Sequence, residues 1–225
     1  MTKILGKGFS WAHGCLAKKR LMTIDRLPKF TEFECKYRTE KDILKEFIRI
    51  ANSIPNQEDY LEVKGPDTFF VNPGINHFGR YRKSDIPDSN GNFFAQWTIK
   101  EKQEGAKNSI NRFESNWIVT GTPTEEVYAA LEKMGYKKVG KIHKHCYIYK
   151  FIDATIVFYT VVSDNSAKEA HFIEIEVDEH TIDRLTEDEA WKVIEKYENI
   201  LADTGISAKK RMRLSLFDMY REDQK

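Results

Sequence analysis

Five short stretches of this chain place charged residues two apart. Glu32, Glu34 and Lys36 form the first, Arg80 and Arg82 the second, Lys100 and Lys102 the third, Arg112 and Glu114 the fourth, and Glu174 and Glu176 the fifth. Residues two apart on an extended strand share one face. The alternate positions carry Phe33, Cys35 and Tyr37, then Trp97 and Ile99, then Phe113, then Ile173, Ile175 and Val177. A sheet with one wet face shows such alternation too, so one stretch alone decides nothing. Taken together, the apolar faces need cover from helices, which turns the charged faces inward. A closed barrel of about eight strands can enclose one small ligand. Burying charges costs several kcal/mol each unless they are paired, so such an interior must be wet and built to hold something charged.

The charge types say what that would be. Arginine gives bidentate contacts to phosphate and lysine gives point charges. Lys36, Arg80, Arg82, Lys100, Lys102 and Arg112 could therefore surround a polyanion. Carboxylates would repel a bare phosphate chain, unless a hard cation lies between. Mg²⁺ or Mn²⁺ prefers oxygen ligands and bridges to substrate phosphates. A phosphate chain with a divalent metal accounts for both signs.

The composition is consistent with a local charge concentration. The 225 residues include 36 Lys and Arg against 35 Asp and Glu, a net charge of +1. A general basic surface for nucleic acid would be lopsided. Hydrophobic residues make up 40%, enough for a core of one domain. Cys15, Cys35 and Cys146 are far apart and odd in number, which argues against a zinc site or disulfide framework and for a reducing compartment. No run approaches a membrane span and the first residues lack a secretory core, so the expected location is cytoplasmic, with no membrane partner.

The elements that must position these residues follow from periodicity. Strands are expected over Phe30–Arg38, Tyr60–Val63, Thr68–Val71, Phe78–Lys83, Phe93–Lys102, Ser109–Thr120, Tyr136–Phe151, Ala154–Val162 and Ala170–Val177. Helices are expected over Thr39–Ser53, with Thr39 as cap, and over Thr122–Met134, with Thr122 as cap, Pro123 at the first position and Glu125 completing a capping box. Two more are expected over Thr186–Ala202, with Thr186 and Glu189 as a box, and over Ser207–Tyr220. Helices sit at crossovers and not between every strand pair. That argues against a doubly wound sheet and for an α+β chain, an antiparallel barrel or sandwich of about eight strands of notable length. Residues 1–28 read as an extension of unclear role, and 29–225 as one strand-rich domain that includes the C-terminal helices.

Glu32-Phe33-Glu34-Cys35-Lys36 resembles the ExExK signature of the CYTH proteins, the triphosphate tunnel metalloenzymes. Arg80-Tyr81-Arg82 is similar to that family's R-x-R strand, Trp97 to Lys102 to its lysine strand, Arg112-Phe113-Glu114 to its R-x-E strand, and Phe172 to Glu176 to its late F-x-E-x-E strand. Leu214 to Tyr220 resembles the closing segment, and the motifs run in family order over Thr31 to Tyr220. The resemblance implies an eight-stranded antiparallel β-barrel with helices packed outside, a tunnel acting on triphosphates with Mg²⁺ or Mn²⁺. It implies Glu32, Glu34, Glu114, Glu174 and Glu176 as metal or water-positioning ligands, with Glu32, Glu34 and Lys36 closest to catalysis. It implies Lys36, Arg80, Arg82, Lys100, Lys102 and Arg112 as phosphate ligands.

Two positions depart from the pattern. Where the family has K-x-R, this chain has Ile142-His143-Lys144, so Lys144 takes the arginine's place and His143 and His145 face the other way. The aspartate expected before the late E-x-E matches Asp164, with Asp153 as competitor. His143 and His145 read as surface residues, and Lys209-Lys210-Arg211 as a solvated helix face.

The expected activity is hydrolysis of the terminal phosphate of a nucleoside triphosphate, thiamine triphosphate or tripolyphosphate. A class IV adenylyl cyclase making cyclic AMP and pyrophosphate, and a non-catalytic nucleotide- or polyphosphate-binding tunnel, are the alternatives. An RNA 5′-triphosphate end is less favoured, and a homodimer is left open.

Overall fold

The computed structural model describes residues 30–39, 43–75, 77–88, 91–102, 112–164, 166–212 and 214–221. The expected extension over 1–28, with Cys15, lies outside the described residues.

Nine strands form a single antiparallel sheet. They are β1 (Phe30–Glu32), β2 (Glu34–Thr39), β3 (Gln57–Val71), β4 (His77–Pro87), β5 (Phe93–Lys102), β6 (Arg112–Ile118), β7 (Lys137–Phe151), β8 (Ala154–Ser163) and β9 (Ser166–Val177). Their order is β1-β6-β5-β4-β3-β7-β8-β9-β2. The two edge strands, β1 and β2, are one run of chain interrupted only at Phe33. Its first half pairs with β6, Glu32 opposite Arg112, and its second half pairs with β9, Glu34 opposite Glu176. The backbone N–H of Val177 donates to the Phe33 carbonyl at 2.9 Å across the junction. The sheet therefore closes on itself as a barrel of eight strand positions, as expected, and closure leaves no free edge.

The helices cover the outside of this barrel. α1 (Leu44–Ala51) and α4 (Glu187–Ile200) pack Phe47, Ile50, Ala190, Ile194 and Tyr197 against Phe33, Cys35, Tyr37, Ile173 and Ile175. These are the apolar alternates of the charged stretches, and burying each large one contributes about 1.5–3 kcal/mol. α2 (Thr124–Lys133) places Val127 and Leu131 over Phe70, Tyr81, Trp97 and Ile99. α3 (Glu179–Ile182) is a single turn after β9, and α5 (Leu216–Arg221) lies at one end of the barrel.

Several expectations on elements are corrected. Tyr60–Val63 and Thr68–Val71 are parts of one 15-residue strand, β3. The intervening Gly65-Pro66 is no turn. At Gly65 a Cβ would stand 2.1 Å from the Lys83 carbonyl oxygen, so glycine permits the close approach of β4. The Thr122 cap does not form. Pro123 is the N-cap of α2 with extended backbone and no side-chain cap bond. Its fixed φ sets the turn without a hydroxyl. Thr39 ends β2, and α1 begins at Leu44 after Ile43, without a side-chain cap. The Thr186–Glu189 capping box is present as read.

The expected last helix is split. Ala208–Lys210 is a 3₁₀ turn, Arg211 bridges to Tyr37, and only Leu216–Arg221 is α-helical. Arg211 is no solvated residue: its guanidinium makes paired bonds of 2.7 and 2.6 Å to Glu198 and lies over the Trp191 ring.

One substitution tests the packing on the outer face. A Cβ at Gly79 would stand 1.8 Å from the Trp97 ring, and Trp97 is held edge-on by Phe70 and Tyr136 at 5.7 and 5.3 Å. Gly79→Ala should cost about 1–3 kcal/mol in urea denaturation. An unchanged midpoint would show that the indole can move aside.

Candidate active site

The alternating strands place their charged residues inside the barrel, around a cavity of about 490 Å³. One end is stopped. Ser215, Leu216 and Phe217 line the cavity at this end. The Phe217 ring stacks on Phe78 at 4.2 Å and meets Phe69 edge-on at 5.7 Å. Ser215 caps the turn that begins here, with its hydroxyl donating to Asp218 at 2.6 Å. The rest of the cavity divides into two walls.

The acidic wall comprises β9, β1–β2 and β6, which are neighbours in the closed sheet. It presents Glu32, Glu34, Glu114, Glu174 and Glu176 to the cavity. Two lysines lie among them. Lys36 Nζ is 2.9 Å from Glu34 and 3.0 Å from Glu174, and donates to Glu34. Lys100 Nζ is paired with Glu32 and, at 2.6 Å, with Glu114. The Asn116 amide donates to Glu114 at 2.8 Å and the Tyr159 hydroxyl donates to Glu174 at 3.2 Å.

Two lysines are too few for five buried carboxylates. Burial, with the Glu114 and Glu34 charges nearby, pushes Glu32 well above the usual carboxylate range. Burial and the charges of Glu114 and Glu34 do the same to Glu176. Burial and Glu174 raise Glu34. The directly paired members go the other way. Burial opposes ionisation of Glu114, but Lys100 and Arg80 outweigh it and hold that group at about 2. Lys36 and Lys144 likewise outweigh burial at Glu174 and keep it below its ordinary value.

The basic wall stands across the barrel on β4, β3 and β7. It presents Arg80, Arg82 and Lys144, with Asp67 between them. Arg82 is committed to Asp67 through bonds of 2.6 and 2.7 Å, and this pairing overcomes burial to hold Asp67 below its ordinary range. Arg80 donates to the Thr98 hydroxyl at 3.3 Å, and its Nε has no partner among the described residues. Lys144 Nζ lies 3.8 Å from the centre of the Tyr159 ring. Burial lowers its pKa, and the Arg82 charge adds to this.

The structure thus brings Glu32, Glu34, Lys36, Arg80, Arg82, Lys100, Glu114, Lys144, Glu174 and Glu176 to one cavity. The backbones of Lys102 and Arg112 pair with each other, Arg112 also opposing Glu32, while their side chains lie outside the described residues. Asp164 is not brought in. Its half-exposed carboxylate is 3.3 Å from His143 on the outer surface, because it follows β8 at a turn and not on the inward register. Asp153 is outside as well, bonded to Lys196 and Tyr197. His143 and His145 face outward as read, the latter 2.5 Å from Glu62. The residues missed are Asp67, behind the turn-like Gly65-Pro66, and Gln96, Tyr159 and Lys150, which line the cavity at the same period of two.

A hard cation fits the chemistry of this donor set. Ten acidic and six basic side chains line the cavity, so carboxyl groups outnumber the basic ones. The Glu32 Oε2 atom is buried without a partner. Among the described residues, however, no three such groups stand close enough to hold an ion as they are; Lys36 and Lys100 lie between them.

No family model matches the sequence, and neither does any curated protein. Solved structures do share the fold. PH1819 from Pyrococcus horikoshii OT3 is 21% identical with a TM-score of 0.61, covering 85% of this chain and 98% of its own. A candidate adenylate cyclase from Vibrio parahaemolyticus is 18% identical with a TM-score of 0.55, covering 85% and 97%. HpAC1 from Hippeastrum, a candidate adenylyl cyclase for which a dominant triphosphatase activity is described, is 14% identical with a TM-score of 0.55, covering 87% and 97%. The resemblance read from the sequence is borne out at the level of the fold. No helix among the described residues is long and apolar enough to cross a membrane.

Proposed function

We propose that this barrel is a triphosphate tunnel of the CYTH type, a divalent-metal-dependent enzyme that hydrolyses the terminal phosphate of a triphosphate. The observation that carries the reading is the two-walled cavity. An acidic wall in excess of its lysines faces a basic wall across a space of about 490 Å³. A polyanion alone would be repelled by the first wall, and a cation alone by the second. The fold shared with HpAC1 and the Vibrio protein supports the same class.

In this reading Arg80 and Lys144, with Arg82 behind Asp67, grip the phosphate chain. Glu32, Glu34, Glu114, Glu174 and Glu176 would hold Mg²⁺ or Mn²⁺, which supplies charge neutralisation and a more acidic water when bound. Lys36 and Lys100 stabilise the charge that develops on the transferred group. Glu34, whose proton is held more tightly than usual, accepts a proton from the attacking water once ionised. The stopped end keeps bulk water from the inner phosphate.

Incubation with ATP, thiamine triphosphate and tripolyphosphate in Mg²⁺ or Mn²⁺ tests this. Orthophosphate is the expected product. Pyrophosphate with cyclic AMP would replace the hydrolase by a cyclase, and binding without turnover would make the tunnel a sequestering protein.

A pH prediction follows from the acidic wall. Glu32, Glu34 and Glu176 have raised values in the folded protein. They stabilise the fold below the ordinary carboxylate pKa, and that contribution is lost as pH rises through their raised values. A cation competes with those protons, so Mn²⁺ should raise Tm more at mildly alkaline than at mildly acidic pH. An equal rise at both would remove the carboxylates as its ligands.

A further inference from the structure

The cavity has a third zone that phosphate and metal leave unused. Away from Phe217, the wall gains apolar side chains: Phe94, Ile118, Leu61 and Ile148 line it with Tyr60, and Asp59, Asp88 and Lys150 stand among them. Ile118 and Tyr60 are 43% and 41% exposed, the kind of apolar surface a chain covers with a ligand or a partner. One step inward on β5 from Phe94 is Gln96, next to Arg82 in register. Gln96 is only 3% exposed, yet its side-chain Nε2 has no hydrogen-bond partner. A buried donor without a partner costs about 1–3 kcal/mol, which makes it a candidate for a ligand contact. The neighbouring buried polar groups are met: Thr98 donates to Asn116 at 2.6 Å and Asn116 to Glu114.

We infer that Gln96 and the apolar collar around Phe94 form a subsite for the organic end of the substrate. The substrate is then an organic triphosphate whose planar ring lies against the collar and offers a hydrogen-bond acceptor to Gln96, in preference to inorganic tripolyphosphate. The inference rests on the triphosphate reading of the inner cavity. It places the phosphates against Arg80 and Lys144 and the ring next to Gln96, since Gln96 is beside Arg82 on the side away from the Phe217 stop. Base–aromatic stacking and an amide contact each contribute about 1–3 kcal/mol to such recognition.

The test compares kcat/KM for ATP, thiamine triphosphate and tripolyphosphate in Mg²⁺, in the wild type, Gln96→Met and Phe94→Ala. Methionine keeps the buried volume while removing both polar atoms, and Phe94 is partly exposed, so its truncation spares the core. The expected result is that ATP or thiamine triphosphate is preferred in the wild type, the better one identifying the ring. In each variant the ratio of its kcat/KM to that of tripolyphosphate should fall about tenfold. A wild type that prefers tripolyphosphate, or variants with an unaltered ratio, overturns the inference while leaving the triphosphate reading intact. Failure of the wild type to bind or turn over any of the three overturns both.

Discussion

Replacing Glu34 by Gln should reduce metal-dependent triphosphate turnover by about 100-fold or more while leaving the barrel folded. Glu34 occupies the point where the acidic wall is most crowded. It opposes Glu176 across β9, bonds Lys36, and feels Glu174 as the strongest charge opposing its ionisation. Glutamine keeps its shape and can still accept from Lys36, so the packing of β2 survives. Lys36 keeps Glu174 at 3.0 Å, so the change leaves no buried charge unpaired. What it deletes is the ionised oxygen pair that a cation or an attacking water requires. Steady-state kinetics beside a thermal melt separates these effects. Full turnover in a folded Glu34→Gln protein would take Glu34 out of the chemistry.

The two arginines of β4 should come apart under mutation, although their sequence setting is the same. Arg82→Ala removes the partner of a buried aspartate and leaves Asp67, 1% exposed, with an uncompensated charge. Breaking a buried pair in this way costs about 3–5 kcal/mol, so the variant should be markedly less stable. Its stability should recover in Arg82→Ala/Asp67→Asn, where no buried charge is stranded. Arg80→Ala breaks no ion pair among the described residues. It should cost about 1.5–3 kcal/mol of phosphate affinity, read as a raised KM, with the denaturation midpoint little changed. If both variants lost stability equally and kept KM, the basic wall would be structural and not a phosphate grip.

This contrast marks where sequence reading works and where it stops. Alternation put Arg80 and Arg82 on one face, and likewise Glu32, Glu34 and Lys36, because the pleat imposes the period locally. The apolar alternates Phe33, Cys35 and Tyr37 made the buried outer face legible for the same reason. What alternation cannot show is which charges meet across strands. Asp67 is fifteen residues from Arg82 and was hidden by Gly65-Pro66, which reads as a turn until β4 is seen to pack over the glycine. Asp164 matched a spacing in sequence, yet the β8–β9 turn points it outward beside His143. Thr122 had the right composition for a cap, but Pro123 already sets the backbone. The Leu216–Phe217 stop follows a bridge, Arg211 to Tyr37, that no local pattern encodes.

The split at Phe33 has a consequence for how such a protein is made. β2 completes the ring only by joining residues 34–39 to 171–176, a separation of well over half the chain. Such distant partners meet late, after the loop entropy of everything between has been overcome. During synthesis the Glu34–Lys36 segment must wait, unpaired, for β9 to leave the ribosome. The Glu34 carboxylate is then still hydrated and cheap to keep charged. Only the last zipping step dehydrates it, so the cost of burying this carboxylate falls at the end of folding.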